Sequence, residues 1–318
     1  MSERKVTLKD IGQQAGVSVG TVSRVLNGNP KGLPVAEKTA AAVLAAAERL
    51  GYRVDLGARA MRTGRYENVV LLTDPSRYRT DLSQPLLDAI HDRLAERSYS
   101  LIYARLAQGE VPKVLRQSMS DGLIVNYHDV LSPVLMEALA ASGLPCVWLN
   151  RAAAHDAVLP DDPGAAAGLV AHFRALGCQR IVYIDGSLGG PQPVLPYRQA
   201  RLDGYRTAMA AAAGTAEVYS NFDLVASDAT IDACIVAEPS VPALVALSAA
   251  VQRRQAPIPR LGGIGARGIG DLPMATMDHP WPDMARAACD LLFEKILHGA
   301  TNTASRLLPY SLSTPWSL

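Results

Sequence analysis

The chain has 318 residues, 49% of them hydrophobic and 19% charged, with a formal net charge of +1. That is room for a small module plus a large domain with its own core, and the composition is that of a soluble globular protein. No apolar run reaches the length of a membrane span, and the opening "MSERKVTLKDIG" has no apolar h-region, so the expectation is a cytoplasmic protein without a secretory leader or a membrane partner.

The charge is unevenly spread. Residues 1–65 hold 11 Lys+Arg against 5 Asp+Glu, and the rest of the chain holds 20 against 25. A basic N-terminal fifth on an acidic body fits a nucleic-acid-binding module joined to a ligand-binding domain. A solvated basic tail would have the same charge but no helical periodicity, and this segment is periodic. In "LKDIGQQA", Leu8, Ile11 and Ala15 fall on one helical face. Gly16 breaks that helix, Val17 plugs the corner, and Ser18 is a suitable N-cap for the next. There Val22, Val25 and Leu26 form the buried side. A third helix, Glu37 to Leu50, carries Ala40, Val43, Leu44, Ala47 and Leu50 as its core stripe and stops at Gly51. Two helices joined by a short Gly-containing turn make a helix-turn-helix, whose second helix enters the major groove N-terminus first. The domain limits expected are 1–51 for the headpiece, 52–65 for a hinge and 66–318 for the body.

From Asn68 onward, strands alternate with helices. Strands are predicted at "VVLLTD", "SLIYARL", "DGLIVNY", "PCVWLN", "RIVYIDG", "AEVYS", "DACIVAE" and "RLGGIGA". Helices are predicted over Leu82–Ser98, Val111–Met119, Pro133–Ser142, Pro163–Leu176, Tyr197–Ala213, Val241–Arg254 and Trp281–His298. This alternation predicts an α/β body with parallel sheets, helices on both faces and two doubly wound subdomains. Their limits fall near 66–158 with 281–308, and 162–277 with 309–318. The stretch "LNRAAAHDAVLPDDPG" marks one crossover. A cleft is expected at the carboxyl ends of the strands.

Other chemistries find little support. Cys146, Cys178, Cys234 and Cys289 form no CxxC pair or Cys/His cluster, and the histidines show no ligand spacing, so no metal or cofactor is expected. The glycines of "GGIGARGIG" lead into a loop rather than a first βα turn, unlike a dinucleotide site. No G-x-S-x-G, Walker A or H-E-x-x-H motif occurs, Asp161 and Asp162 have the character of helix caps, and no enzyme activity is expected.

The combination "TLKDIG", "AGVS", "TVSRVLNG", "LGY" and "ARAMRTGR" resembles the headpiece and hinge of the lactose-repressor (LacI/GalR) family, and the resemblance continues more weakly along the whole chain. It implies a periplasmic-binding-protein-like core behind a DNA-binding headpiece. It also implies a dimeric repressor on double-stranded palindromic operator DNA, with affinity set by a small-molecule effector such as a sugar or sugar phosphate. Leu8, Val19, Gly20 and Arg24 belong to the implied DNA-binding set, the last three facing base edges. Arg24 is suited to a bidentate contact to guanine, or to a phosphate. Thr7, Ser18, Thr21, Ser23, Asn27 and Thr39 match phosphate-contacting or capping positions. Ala58, Arg59 and Met61 match the hinge that enters the minor groove, Met61 as the wedge that unstacks a base step. Ala36 replaces the usual Ser cap of the third helix, a loss of about 1 kcal/mol.

For the effector, the resemblance points to Asn126, Asn150, Arg201, Phe222 and Glu238. Asn150 stands where an Asp is usual. Glu238 and Pro239 replace an "ND" pair, and Gly265 and Ala266 replace an acidic pair, so two anchors for sugar hydroxyls are missing. Glu238 beside Arg201 would suit a ligand with both an anionic and a donor-rich part. Phe222 is either a stacking surface or a core residue. The roughly ten residues from Phe222 to Cys234 look too few for the helix usual there. A degenerate pocket answering to a protein partner, and a solute-binding protein of the same core fold, are the alternative readings. With no apolar heptads after the domain, a homodimer is the expected assembly.

Overall fold

The computed structural model describes residues 6–26, 34–52, 60, 63–73, 83–105, 111–117, 119–127, 131–185, 195–254, 257–265 and 273–315. It divides into two compact units, residues 1–67 and 68–318.

The first unit holds α1 (Leu8–Ala15), α2 (Val19–Leu26) and α3 (Glu37–Arg49). Thr7 starts α1 with a capping box: its side chain receives the Asp10 N–H, while the Asp10 carboxylate receives the Thr7 backbone N–H at 2.8 Å. Gly16 ends the helix at φ 67°, in the left-handed region. Gly12 is needed for a different reason: a Cβ there would lie 2.8 Å from the Val17 carbonyl oxygen, so only glycine lets the turn fold back onto α1. Ile11, Val22, Val43, Ala46 and Ala47 form the core. One expectation is corrected. Leu44 is 53% exposed, and Ala46 faces inward on α3 instead. Ala36 makes no side-chain cap, as its lack of a hydroxyl requires.

The second unit contains two six-stranded sheets. The near sheet has the order β2 (Ser100–Arg105), β1 (Asn68–Thr73), β3 (Gly122–Asn126), β4 (Cys146–Leu149), β5 (Ala157–Pro160), β11 (Arg306–Leu308), all parallel. The far sheet repeats it with β7 (Glu217–Tyr219), β6 (Ile181–Ile184), β8 (Ala233–Val236), β9 (Arg260–Ile264), β10 (Met274–Asp278) and an antiparallel edge, β12 (Ser311–Ser313). Both follow the doubly wound order 2-1-3-4-5.

The central strands are apolar without a break because both faces are covered. In β1, Val69 and Leu71 meet α4 (Gln84–Ala95) and α11 (Trp281–His298), while Val70 and Leu72 meet α5 (Lys113–Gln117) and α6 (Pro133–Ser142). In β6, Ile181 and Tyr183 face α7 (Asp162–Ala175) and α8 (Pro196–Ala211), while Val182 and Ile184 face α9 (Asp223–Ser227) and α10 (Val241–Arg253). Helices α7 and α8 cross closely enough that a Cβ on Gly204 would lie 2.3 Å from the Pro163 carbonyl oxygen. Helix α9 corrects a second expectation, since a five-residue helix does fit between Phe222 and Cys234.

Strands β5, β10, β11 and β12 lie outside the eight predicted. The chain passes between sheets after β5, after β10 and after β11. Each passage leaves the carboxyl end of a parallel strand, so the carboxyl ends of the two sheets open toward each other. Among the described residues no helix is long and apolar enough to cross a membrane, and no group of three or more His, Cys, Asp or Glu is placed to hold a metal ion. The four cysteines are free, and burial pushes the Cys146, Cys234 and Cys289 thiols up to about 12.

Candidate functional site

Two sets of residues carry function-bearing chemistry, one in each unit. In the headpiece, α2 begins at Ser18, whose hydroxyl receives the Thr21 N–H at 3.2 Å and lies 3.0 Å from the Thr21 hydroxyl. Val22 is fully buried and fixes which side of α2 faces inward. Val19 is therefore 46% exposed, and Gly20 is exposed beside it. A Cβ on Gly20 would meet only the Ser18 hydroxyl, at 3.7 Å. The fold does not demand glycine there, so the bare leading edge is a property of the surface rather than a packing constraint. Arg24 lies back along the helix, its Nε donating to the Gly20 carbonyl at 3.4 Å and its Nη2 to the Thr21 hydroxyl at 3.3 Å. Both bonds are long and easily exchanged. Thr7 is exposed, while Leu8, Thr21, Ser23 and Thr39 are partly exposed. Asn27, Ala58, Arg59 and Met61 lie outside the described residues. Ala60 is buried and accepts the Gly64 N–H at 2.7 Å, closing one helical turn.

In the body, the strand ends at the switch point of a doubly wound sheet are the usual place for a ligand. In the near sheet two uncharged pairs stand at these ends. Asn126 ends β3, Asn150 follows β4, and the Asn150 amide donates to the Asn126 Oδ1 at 2.8 Å. Asn150 sits at φ 61°, which Asn tolerates better than most residues. Thr73, at the end of β1, donates to the Tyr103 hydroxyl at 3.1 Å.

The far wall is charged. Glu238 follows β8 and accepts from Arg198 Nη2 at 2.5 Å, Arg198 Nε at 3.0 Å and the Tyr197 hydroxyl at 3.0 Å. Its ion-pair partner is Arg198. Arg201 is only 4% exposed. Its Nε donates to Asp162 at 2.6 Å, its Nη1 to the Ala237 carbonyl at 2.8 Å and its Nη2 to the Tyr310 hydroxyl at 3.0 Å. The Tyr310 hydroxyl also donates to Asp162, at 2.8 Å. Burial works to lower the pKa of Arg201, but Tyr310 and Asp162 outweigh it and hold the guanidinium above its ordinary value. Asp162 follows the first passage between the sheets and Tyr310 lies on the third, so Arg201 ties two passages together. On the second passage, His279 stacks on Trp281 with ring centroids 3.4 Å apart and tilts against Tyr310 at 4.8 Å.

Of the two readings of Phe222, its burial matches the core residue. It is 3% exposed and packs with Val182, Val225 and Ile231. Asp161 does cap α7, accepting the Gly164 N–H at 2.9 Å, but its neighbour Asp162 serves Arg201 instead. Sequence reasoning missed Tyr197 and Arg198, although both precede Arg201 on α8 at i−4 and i−3 and so share its face. Tyr310 carried no local signal, being more than a hundred residues from Arg201.

Comparison with known proteins agrees with both halves. Residues 7–55 match the family model described as bacterial regulatory proteins, lacI family. The HTH-type transcriptional regulator PtxS of Pseudomonas plecoglossicida is 30% identical over 219 residues, 66% of this chain and 61% of the relative. The HTH-type transcriptional regulator DegA of Bacillus subtilis (strain 168) is 28% identical over 223 residues, 64% of this chain and again 61% of the relative. The matched region thus spans about three fifths of these relatives. Among solved structures, the lac repressor dimer bound to operator and the anti-inducer ONPF superposes with a TM-score of 0.74 at 21% identity, covering 98% of both chains. The three-helix headpiece therefore matches that of bacterial regulatory proteins of the lacI family, and the chain as a whole has the fold of the lac repressor, with its periplasmic-binding-protein-like core.

Proposed function

We propose that this chain is a sequence-specific DNA-binding transcriptional repressor, active in the cytoplasm as a homodimer on palindromic operator DNA, with no catalytic step of its own. The observation that carries this reading is the headpiece. A basic three-helix unit presents the N-terminal edge of α2 to solvent, with Ser18 exposed and Thr21, Ser23 and Arg24 partly exposed along the same helix and Thr7 exposed at the start of α1. Hydroxyls at helix starts suit phosphate contacts, which fix register without reading bases. Val19 can meet a thymine methyl, and Gly20 lets the helix sit close. Arg24 is the only side chain of this edge able to bind guanine in two places. Discrimination then rests on Arg24 and on the shape of the bent site centre, where Met61 would act as the wedge.

The test is selection of operator sequences from a random duplex pool by the full chain, followed by affinity measurements with Arg24→Ala. A palindromic consensus is expected, and the variant should lose about 1–3 kcal/mol and relax preference at one base pair per half-site. A uniform loss across sequences would reduce Arg24 to a phosphate contact, and failure to enrich any sequence would overturn the reading.

The cleft at the strand ends is the proposed effector site. Subdomain closure on a ligand there would shift the population of states in which two hinge segments can pair on DNA. A second reading, a regulator with a degenerate cleft, is favoured by a specific observation. Asn126, Asn150, Arg201 and Glu238 each already hold a hydrogen-bond partner within the protein. Thermal stability with a panel of sugars, sugar phosphates and nucleobases separates the two. A true effector at 100-fold its Kd adds about 2.7 kcal/mol, and no shift with any compound favours the degenerate cleft.

A further inference from the structure

A second cavity lies at the other end of the far sheet, below the amino ends of β8, β9 and β10, and none of the candidate residues of the cleft lines it. Its volume is about 610 Å³, within the range of small-molecule sites. Its apolar side includes Leu176, Ile258, Pro259 and Pro315, with Leu176 and Ile258 both exposed. Its polar side carries Arg260 and His172. The two are close enough that, after burial, the Arg260 charge is what holds the His172 imidazole below its ordinary pKa. Arg260 makes no ion pair among the described residues. The carboxylate in the lining, Asp232, is already engaged, accepting the backbone N–H groups of Gln179 and Arg180 at 2.8 Å each. The end of α7 also borders the cavity, but its last-turn carbonyls are taken by the N–H groups of Leu176, Gly177 and Cys178. Both N–H groups meet one Asp232 oxygen, Oδ2, which draws that charge toward the Gln179–Arg180 backbone.

From this balance of a guanidinium outside any ion pair among the described residues, a neighbouring imidazole and an apolar panel, we infer that the cavity is a second ligand site for a small organic anion, a carboxylate or phosphate ester with an apolar body. Arg260 binds the charged group as a fork of donors, His172 supplies a further nitrogen, and Ile258 and Leu176 cover the apolar part. Such an occupant would touch α7 and the segment after β12. Helix α7 starts at the first passage between the sheets, and the segment after β12 follows the strand entered by the third, which gives the site a physical route to subdomain closure.

The test is calorimetric titration of the full chain with phenyl phosphate, with inorganic phosphate and benzyl alcohol as probes of the two halves of the ligand. Phenyl phosphate is expected to bind saturably and at least tenfold more tightly than either control. Arg260→Gln and Ile258→Asp each lie at exposed positions and leave the core untouched, and each should weaken binding at least tenfold. Asn126→Ala in the cleft should leave it unchanged. Absence of saturable binding overturns the inference, as does equal affinity in Arg260→Gln. Loss of binding in Asn126→Ala alone overturns it too, by moving the ligand to the cleft.

Discussion

The two sheets of the body share a strand order and a two-faced apolar core, yet they end in different chemistry. The bonded pairs of the near sheet are amides and hydroxyls, Asn126 with Asn150 and Thr73 with Tyr103, with Arg105 and Arg151 at the ends of β2 and β4 beside them. The far sheet offers full charges, Arg198 with Glu238 and Arg201 with Asp162. Topology places a site at the switch point of each sheet but does not decide what stands there. The difference also separates two energetic regimes. Neutral hydrogen bonds exchange with a ligand at little net cost, since each contributes only about 0.5–1.5 kcal/mol. The Arg201 pair is buried, so opening it for a ligand would strand a charge. A cleft ligand is therefore expected to exchange bonds with the near wall and with the half-exposed Glu238, and to leave Arg201 in place.

The largest effects should come from the far side. Arg201→Met removes three hydrogen bonds and leaves the Asp162 carboxylate buried with only Tyr310 beside it. Breaking a buried pair in this way costs about 3–5 kcal/mol, read by chemical denaturation of the full chain. Adding Asp162→Asn should recover part of that loss, because the stranded charge goes with it. If Arg201→Met is instead mild, Arg201 is a ligand residue rather than a tie between passages, and the contrast between the walls fails. Phe222→Ala belongs in the same range, about 3–5 kcal/mol, as expected for a core aromatic. A ring that served only to stack on a ligand would change stability little.

Much of this architecture is legible in the sequence, for local reasons. The headpiece follows from caps, one left-handed glycine and the 3.6-residue period, and these act within a few residues of each other. The seven predicted body helices show the same periodicity or begin at or next to Pro. Strands β1, β3, β6 and β8 stand out because burial on both faces leaves polar residues such as Asn68, Thr73 and Asn126 only at their ends. The strands that escape notice are defined by their neighbours. Strands β11 and β12 have three residues each, mostly exposed, and exist only because β5 and β10 offer edges to pair with. Leu44 illustrates the limit of periodicity, since Leu44 and Ala46 flank the buried Val43–Ala47 line on opposite sides and the Ala46 side of α3 wins. The site is less legible than the fold. Asn126, Asn150, Arg201 and Glu238 do stand at strand ends or on the helix beside them. Their partners cannot be read locally, because Asp162, Arg201 and Tyr310 meet only when all the passages between the sheets are in place.

The near wall supplies the smallest and most discriminating test. Asn150 does two jobs there, donating to Asn126 and occupying φ 61°. Asn150→Gly removes the amide but keeps easy access to positive φ, so its cost should be close to one hydrogen bond, about 0.5–1.5 kcal/mol. Asn150→Ala removes the same amide and adds the left-handed penalty of a Cβ, about 1–2 kcal/mol more. The difference between the two variants in denaturation midpoint isolates the backbone term from the side-chain term. A larger loss in the glycine variant would mean that the buried Asn126 amide is left without a partner, raising its share to about 1–3 kcal/mol. The near wall would then be held as firmly as the far one. Equal and small losses in both variants would show the opposite, a near wall whose amides are free to turn toward a ligand while the charged wall holds still.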